Sequence, residues 1–396
     1  MGDKKLIQEM TARERLFACL EGKQTDRVPI WLLFPYHPTY YYVDVRTHPD
    51  YKPIFEASKK YAIMLNRRNF GTPSDVPKLR KRKESIPHFT PEVTYRSEDA
   101  EENGLTIMRD YIEYKGQSIF EEIQTSASGS KVKKPLHSDE DLEFFCSLPI
   151  ETDQKRLEAE LEKRLPEFLR EKEDFPEEYG AMMLDLGEPI IPVYHGANLE
   201  EYAIWSITQA DRVKEFLERA MVRLRIIYKW CLERDLADIY FLVGTELASP
   251  PLVSRDTFLN WIVPYDKELI EMIHSYGKKV IQHYHGQIKK VLPDFADMGP
   301  DGLHTIEAPP VGNCTFTEAY DIVKDNISLI GNTQYDDFRS FTKEQMVREV
   351  TTILDECKGK RLILSPSAGP FLEPLPKQMI ENYITFMETA WNYPWS

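Results

Sequence analysis

An alternation constrains this chain more than any other feature. Short apolar runs recur at Val28 to Phe34, Tyr61 to Leu65, Ala181 to Leu186, Ile239 to Val243, Lys279 to His283, Gly302 to Ile306, Ile327 to Ile330 and Arg361 to Leu364. Between most of them lie stretches such as Asp211 to Arg234, Asp256 to Tyr276, Thr342 to Cys357 and Lys377 to Trp391, whose apolar residues recur at three and four. Runs that are apolar throughout are strands buried on both faces, and a helix between two of them is the usual parallel crossover. Strand then helix, eight times over, predicts an α/β fold of the (β/α)8 TIM-barrel type. Thr11 and Glu14 form a capping box that opens an N-terminal helix, with Gly22 placed to close it.

A chain of 396 residues fits one such barrel, taken here as a single domain over 1–396. The alternation lapses over 67–179, between the second and third strands. That stretch holds a basic run (Lys78, Arg80, Lys81, Arg82, Lys83), an acidic run from Glu98 to Glu102, a hairpin pattern around Gly116 and a charged helix from Asp153 to Lys172. We read it as an α+β elaboration of the barrel. Its basic run is either a solvated loop or a docking patch for an acidic protein or substrate carboxylates. No glycine-rich phosphate loop and no internal repeat occurs.

The formal net charge of −15 would repel a polyanion, so nucleic acid is a poor partner. No run approaches the ~18 apolar residues of a membrane span, and the first residues carry neither an apolar signal core nor a myristoylation pattern, Leu6 standing where Ser or Thr is needed. Cys19, Cys146, Cys231, Cys314 and Cys357 are odd in number and form no CxxC pair, which argues against a disulfide framework or a zinc ribbon. A cytoplasmic setting is expected.

In barrels of this kind the chemistry sits at the C-terminal ends of the strands. Tyr36, His37, Tyr40, Tyr41 and Tyr42 follow the first run; Glu246 follows the fourth; His283 and His285 end the fifth; Glu307 ends the sixth; Asn332 and Gln334 follow the seventh; Ser365 follows the eighth. His283-Tyr284-His285-Gly286 is the most specific pattern, because residues two apart on a strand share a face and two imidazoles there can share a metal. A catalytic zinc needs three protein ligands, and Glu246 and Glu307 at neighbouring strand ends are the candidates to complete it and to act in catalysis. Alternatively the histidines donate to backbone carbonyls of a polar pocket. The tyrosine cluster either caps the barrel or, with His37, Asn332, Gln334 and Ser365, lines a substrate pocket suited to an aromatic or cationic ligand.

With these residues in view, the chain resembles the uroporphyrinogen decarboxylase superfamily, which includes zinc- and corrinoid-dependent methyltransferases. The resemblance rests on Thr11-Ala-Arg-Glu-Arg15 through Asp26-Arg27-Val28-Pro29, Gly116, Ser138-Asp-Glu-Asp-Leu142, Phe258 to Pro264, Gly277-Lys278 through His283-x-His285-Gly286, Gly331-Asn332, and Leu364-Ser365-Pro366 through Pro376. True decarboxylases of this superfamily carry an Arg-Gln-Ala-Gly-Arg segment after the first strand that grips the substrate's acid groups. Here that loop reads Leu33-Phe34-Pro35-Tyr36-His37-Pro38, without an arginine, and the catalytic aspartate falls near Glu246.

The methyltransferase branch shows His-x-Cys-Gly at the fifth strand and a further Cys after the eighth. In this chain His285 and Ala368 stand at those positions. Two thiolates and a thiol substrate leave zinc net negative, which favours thiolate attack; two neutral imidazoles and one carboxylate leave it net positive, a better Lewis acid. The resemblance therefore implies a demethylating methyltransferase. It would move a methyl group from a small donor, such as an aromatic methyl ether, to cobalt(I) of a corrinoid carried by a separate protein, with zinc as Lewis acid. The alternatives are a uroporphyrinogen decarboxylase-like lyase acting on a carboxylated substrate, and a metal-free barrel that binds a small molecule without turning it over.

Overall fold

The computed structural model describes residues 9–39, 42–69, 86–371 and 374–395. The strands in chain order are β1 (Met64–Arg68), β2 (Thr94–Glu102), β3 (Leu105–Tyr114), β4 (Gln117–Ser126), β5 (Gly129–Lys133), β6 (Gly180–Leu184), β7 (Ile239–Leu242), β8 (Lys279–His283), β9 (Gly302–His304), β10 (Ser328–Thr333) and β11 (Leu362–Pro366). Seven of them form one parallel sheet in the order β1-β6-β7-β8-β9-β10-β11, a TIM-barrel-like arrangement.

The first apolar run behaves differently from an ordinary strand. It pairs only at Ile30, with Leu364 of β11, and at Trp31, with Ile63 just before β1, both in parallel. Trp31 N–H donates to Leu364 O (2.9 Å) and Ile63 N–H to Ile30 O (2.7 Å), so these two residues link the sheet's first and last strands. A longer ladder fails for local reasons: Pro29 has no N–H to give, and Leu33 turns to φ 61°.

The apolar pattern explains the packing. The inward residues of the strands, among them Leu65, Met183, Ile239, Ile281, Ile330 and Ile363, form one buried cluster inside the sheet. The helix Ala12–Leu20, with its Thr11–Glu14 capping box, sends Leu16, Cys19 and Leu20 into the same cluster from below. The outward residues pack under the surrounding helices in a second, larger cluster. The helix expected over Asp256 to Tyr276 is two helices, Arg255–Trp261 and Val263–Ser275, because Pro264 cannot donate into the preceding turn and starts a new helix instead.

Between β1 and β6 the chain makes an antiparallel sheet, β2-β3-β4-β5, and the helices Asp139–Ser147 and Gln154–Asp174. Its turns at Asn103-Gly104 and Lys115-Gly116 both have positive φ at both residues, the backbone that two-residue hairpins demand. The basic run Lys78 to Lys83 lies outside the described residues. No described helix is long and apolar enough to cross a membrane.

Candidate metal and substrate site

Strand β8 ends at His283, and its period of two sends the next side chain, Tyr284, the other way into the core, where its hydroxyl donates to Pro250 O (2.9 Å). His285 then comes back to the first face. The rings of His283 and His285 meet edge to face at 4.5 Å. Glu246 reaches them from a single 3-10 turn, Thr245–Ala248, after β7, and its Oε2 accepts the His285 N–H at 2.7 Å. One donor atom each from Glu246, His283 and His285 lies within 4.8 Å of the others.

That turn is held from behind by two fully buried carboxyl groups. Glu188 accepts the Gly244 N–H at 2.7 Å, while Asp266 accepts from Thr245 Oγ1 (2.9 Å) and Gln282 Nε2 (3.0 Å). Burial raises both: Asp266 to about 7, and Glu188 well above its usual range, where the nearby Asp266 and Asp185 carboxylates add to the effect.

A chain of hydrogen bonds sets the tautomer of His283. His304, at the end of β9, is fully buried, and burial drives its pKa down to about 3, so its ring is neutral. Its Nε2 lies 3.1 Å from Pro366 O, which can only accept. Nε2 therefore carries the proton, and Nδ1 is left as an acceptor. His283 Nδ1 stands 2.7 Å from that acceptor and must donate to it, which leaves the lone pair of His283 Nε2 for another partner. Burial holds His283 well below its usual pKa as well, with His285 and His304 adding to the shift.

His285 is poised differently. Burial alone would lower its pKa, but Glu307 and Glu246 together outweigh this and raise it. Glu307 Oε1 sits 3.4 Å from His285 Nδ1, and Oε2 accepts the Gly286 N–H at 2.6 Å. Burial pushes the Glu307 carboxyl up, and these contacts more than reverse it. Glu246 has less support, so burial leaves its pKa raised in spite of His285. The two acids thus differ in placement: Glu246 converges with both imidazoles, whereas Glu307 backs one of them.

Over the histidines lies a cavity of about 110 Å³ walled by the rings of Trp31, Tyr42, Phe241 and Phe371, with Ala368 at its edge. Arg67, from β1, also lines it; the guanidinium is paired with Asp185 (Nε to Oδ2, 3.2 Å) and lies over Phe241. Of the tyrosine cluster, Tyr42 reaches this cavity, whereas Tyr36 packs edge-on against Phe175 and beneath Arg46. Tyr40 and Tyr41 lie outside the described residues. His37 is tied to Asp174 (Nε2, 3.0 Å) and Asn66 (Nδ1, 2.9 Å). Ser365 is buried and donates to Pro366 O at 3.0 Å. Asn332 is also buried, and Gln334 accepts from Ser367 Oγ at 3.3 Å, one position from Ala368. None of these last four lines the cavity.

Sequence reasoning passed over His304 and Arg67. Arg67, two residues after the run Tyr61 to Leu65, satisfies the criterion that picked out His283, whereas His304 lies inside the run Gly302 to Ile306 and becomes a strand end only in the fold.

Comparison with known proteins gives a family match and two structural likenesses. A family model described as Uroporphyrinogen decarboxylase (URO-D) matches residues 193–393, just over half of the chain. A solved methyltransferase from Methanosarcina mazei superposes with a TM-score of 0.55 at 16% identity, covering 96% of this chain and 98% of its own, a likeness of fold. A B12-independent methionine synthase from Shewanella sp. W3-18-1, solved in complex with selenomethionine, gives a TM-score of 0.44 at 12% identity, over 92% of this chain and 96% of its own. No curated protein matches the sequence.

Proposed function

Because the chain belongs to the uroporphyrinogen decarboxylase family, we propose that it is an enzyme of that family's methyltransferase branch. On this reading it demethylates a small donor and passes the methyl group to cobalt(I) of a corrinoid protein acting in trans. The observation that carries the reading is the convergence of Glu246, His283 and His285 beneath a ring-walled cavity. Three protein donors and an open position are the pattern of a catalytic zinc, and His283 keeps its Nε2 lone pair unspent. Glu246 and the two imidazoles would hold the ion. It would supply Lewis acidity to a departing oxygen.

The chain's own residues supply the rest. Glu307 fixes the ring of His285 through Nδ1, and His304 fixes that of His283. Trp31, Tyr42, Phe241 and Phe371 offer flat walls to an aromatic ether and exclude water from the methyl group. The methyl carbon would leave its oxygen with the bonding pair staying on oxygen, the new pair would come from the cobalt(I) acceptor of the partner protein, and solvent would protonate the released alkoxide or phenolate.

Cavity size favours this reading over decarboxylation of a tetrapyrrole. An apolar cavity of about 150 Å³ accepts one benzene ring, so the 110 Å³ here holds the methoxy end of a donor and part of its ring. Among the described residues Arg67 is the one guanidinium lining the cavity, and it is already paired with Asp185. The test mixes zinc-loaded enzyme, a reduced corrinoid protein and a panel of methoxylated aromatics, quaternary methylammonium compounds and methylated thiols, and follows loss of the cobalt(I) absorbance. Methylation of cobalt from an aromatic ether is expected. Transfer from methylcobalamin to a thiol, with no ether demethylated, would overturn the reading.

A further inference from the structure

The described residues enclose a cavity larger than the one over the histidines. A cavity of about 530 Å³ lies between the start of the elaboration and the short helix Ile191–Gly196, nearly five times the volume at the histidine pair and within the ~300–1,000 Å³ typical of small-molecule sites. Its body is apolar, with Phe89, Val93, Ile112 and Phe145 among the walls. Its polar lining residues include Thr90, Glu151, Arg156 and His195. Glu151, 2% exposed, accepts from Asp153 N–H (3.0 Å) and Arg156 Nη1 (3.0 Å).

A second guanidinium, the buried Arg223, stands behind Glu151 and gives its own N–H groups to Pro87 O (2.8 Å) and Ile86 O (2.9 Å). Arg156 and Arg223 both lie against Glu151, and the other nearby acid, Asp153, is spent on the Arg156 backbone N–H (2.9 Å), so guanidinium outnumbers buried carboxylate beside this otherwise apolar cavity. The remaining N–H donors of Arg156 have no partner among the described residues, and the buried Thr90 Oγ1 on the same wall has none either. The ring nitrogens of His195, also on the wall, make no hydrogen bond to the described residues. Donors left unused beside a positive charge are complementary to an anion, and the planar guanidinium fork suits a carboxylate.

We infer that this cavity is a second small-molecule site, which takes a flat apolar molecule bearing a single carboxylate, its acid held by Arg156 and its body between Phe89 and the helix Ile191–Gly196. It is separate from the histidine site. The helix Ile191–Gly196 forms a wall between them: Ile191 and His195 face the cavity, while Tyr194 feels the Glu246 carboxylate on the other side. The inference stands apart from the proposed methyl transfer and does not need zinc.

The probe is 2-naphthoate, compared with its neutral analogue 2-naphthylmethanol, by calorimetry on the full chain. Naphthoate should bind in the micromolar to low-millimolar range. Arg156→Gln, at a half-exposed side chain and with an amide that can still donate to the buried Glu151, should weaken naphthoate about tenfold and leave the alcohol unchanged, since it removes a charge-assisted bond. His195→Trp, which fills the cavity from an exposed wall residue, should abolish both, with the thermal melt reporting that the variant is folded. His283→Ala should alter neither. Absence of naphthoate binding, equal binding by the Arg156 variant, or loss of binding on His283→Ala would each overturn the inference.

Discussion

Replacing His304 with phenylalanine tests the imidazole chain most directly. The substitution keeps a ring where His304 stacks on His283 (centroids 4.9 Å, 15° between planes) and meets Trp31 edge-on at 5.5 Å. It removes both nitrogens. Pro366 O loses its donor and His283 Nδ1–H loses its acceptor, and each orphaned buried group costs about 1–3 kcal/mol. Folding stability should therefore fall by roughly 2–6 kcal/mol, unless water enters to repair the gap. Freed of its partner, His283 can place its proton on Nε2, where a metal would bind. Loss of such an orienting partner commonly weakens metal affinity about 10–100-fold, or about 1.4–2.7 kcal/mol. His304→Gln should recover much of both losses, since an amide can donate to Pro366 and accept from His283. Urea melts, a competition titration of zinc against a chromogenic chelator, and the nitrogen-15 spectrum of His283 read the three quantities. Phenylalanine at 304 with unchanged zinc affinity, and with the Nδ1–H form of His283 still dominant, would refute the tautomer argument.

Purified protein should take up about one zinc per chain, and His283→Ala should lose it, which elemental analysis after gel filtration would show; protein that stays metal-free after zinc loading would remove the Lewis-acid mechanism. Glu246→Gln should weaken zinc binding and slow cobalt methylation more than Glu307→Gln, because Glu246 converges with both imidazoles and Glu307 with one. Asp266 is raised in the fold to about 7 against about 3.9 unfolded, so the native state binds the extra proton between those values and stability falls as pH rises through them. The stability advantage of Asp266→Asn over the parent should accordingly grow from pH 4 to pH 7 and then level off, by at most a few kcal/mol; a difference that is flat in urea melts at pH 5 and pH 8 would show that Asp266 does not titrate in that window. Anaerobically reduced uroporphyrinogen should not be decarboxylated at a useful rate, and product analysis by chromatography would reveal turnover if the cavity accepts it.

The parts of this molecule legible in sequence are those governed by short-range periodicity. Doubly buried strands such as Ile239 to Leu242 and Gly180 to Leu184 announce themselves as unbroken apolar runs. His283 and His285 share a face because a strand has a period of two. What escaped depends on which strands become neighbours. His304 matters through its distance to Pro366, sixty-two residues away, and Arg67 through Asp185 and Phe241. Glu246 and Glu307 look equivalent in sequence, since each follows a strand. Only the turn Thr245–Ala248, and the buried acids behind it, set Glu246 toward both rings. The tyrosines after the first run were harder still: Leu33 at φ 61° redirects the chain, and Tyr36 ends against Phe175 instead of at the cavity.

The helix Ala12–Leu20 makes the barrel a cup and not a tube. Its Leu16 and Leu20 close the lower end, so everything that visits Trp31 and Phe241 must enter and leave over the same rim. For a transfer between a small donor and a protein-borne macrocycle, a shared rim dictates traffic. On the proposed methyl transfer, the donor would have to be seated before the bulky acceptor covers the opening, and the demethylated product would stay trapped until that acceptor lifts away. Steady-state kinetics should then show compulsory order, with the spent donor released last and an excess of the acceptor protein slowing its escape.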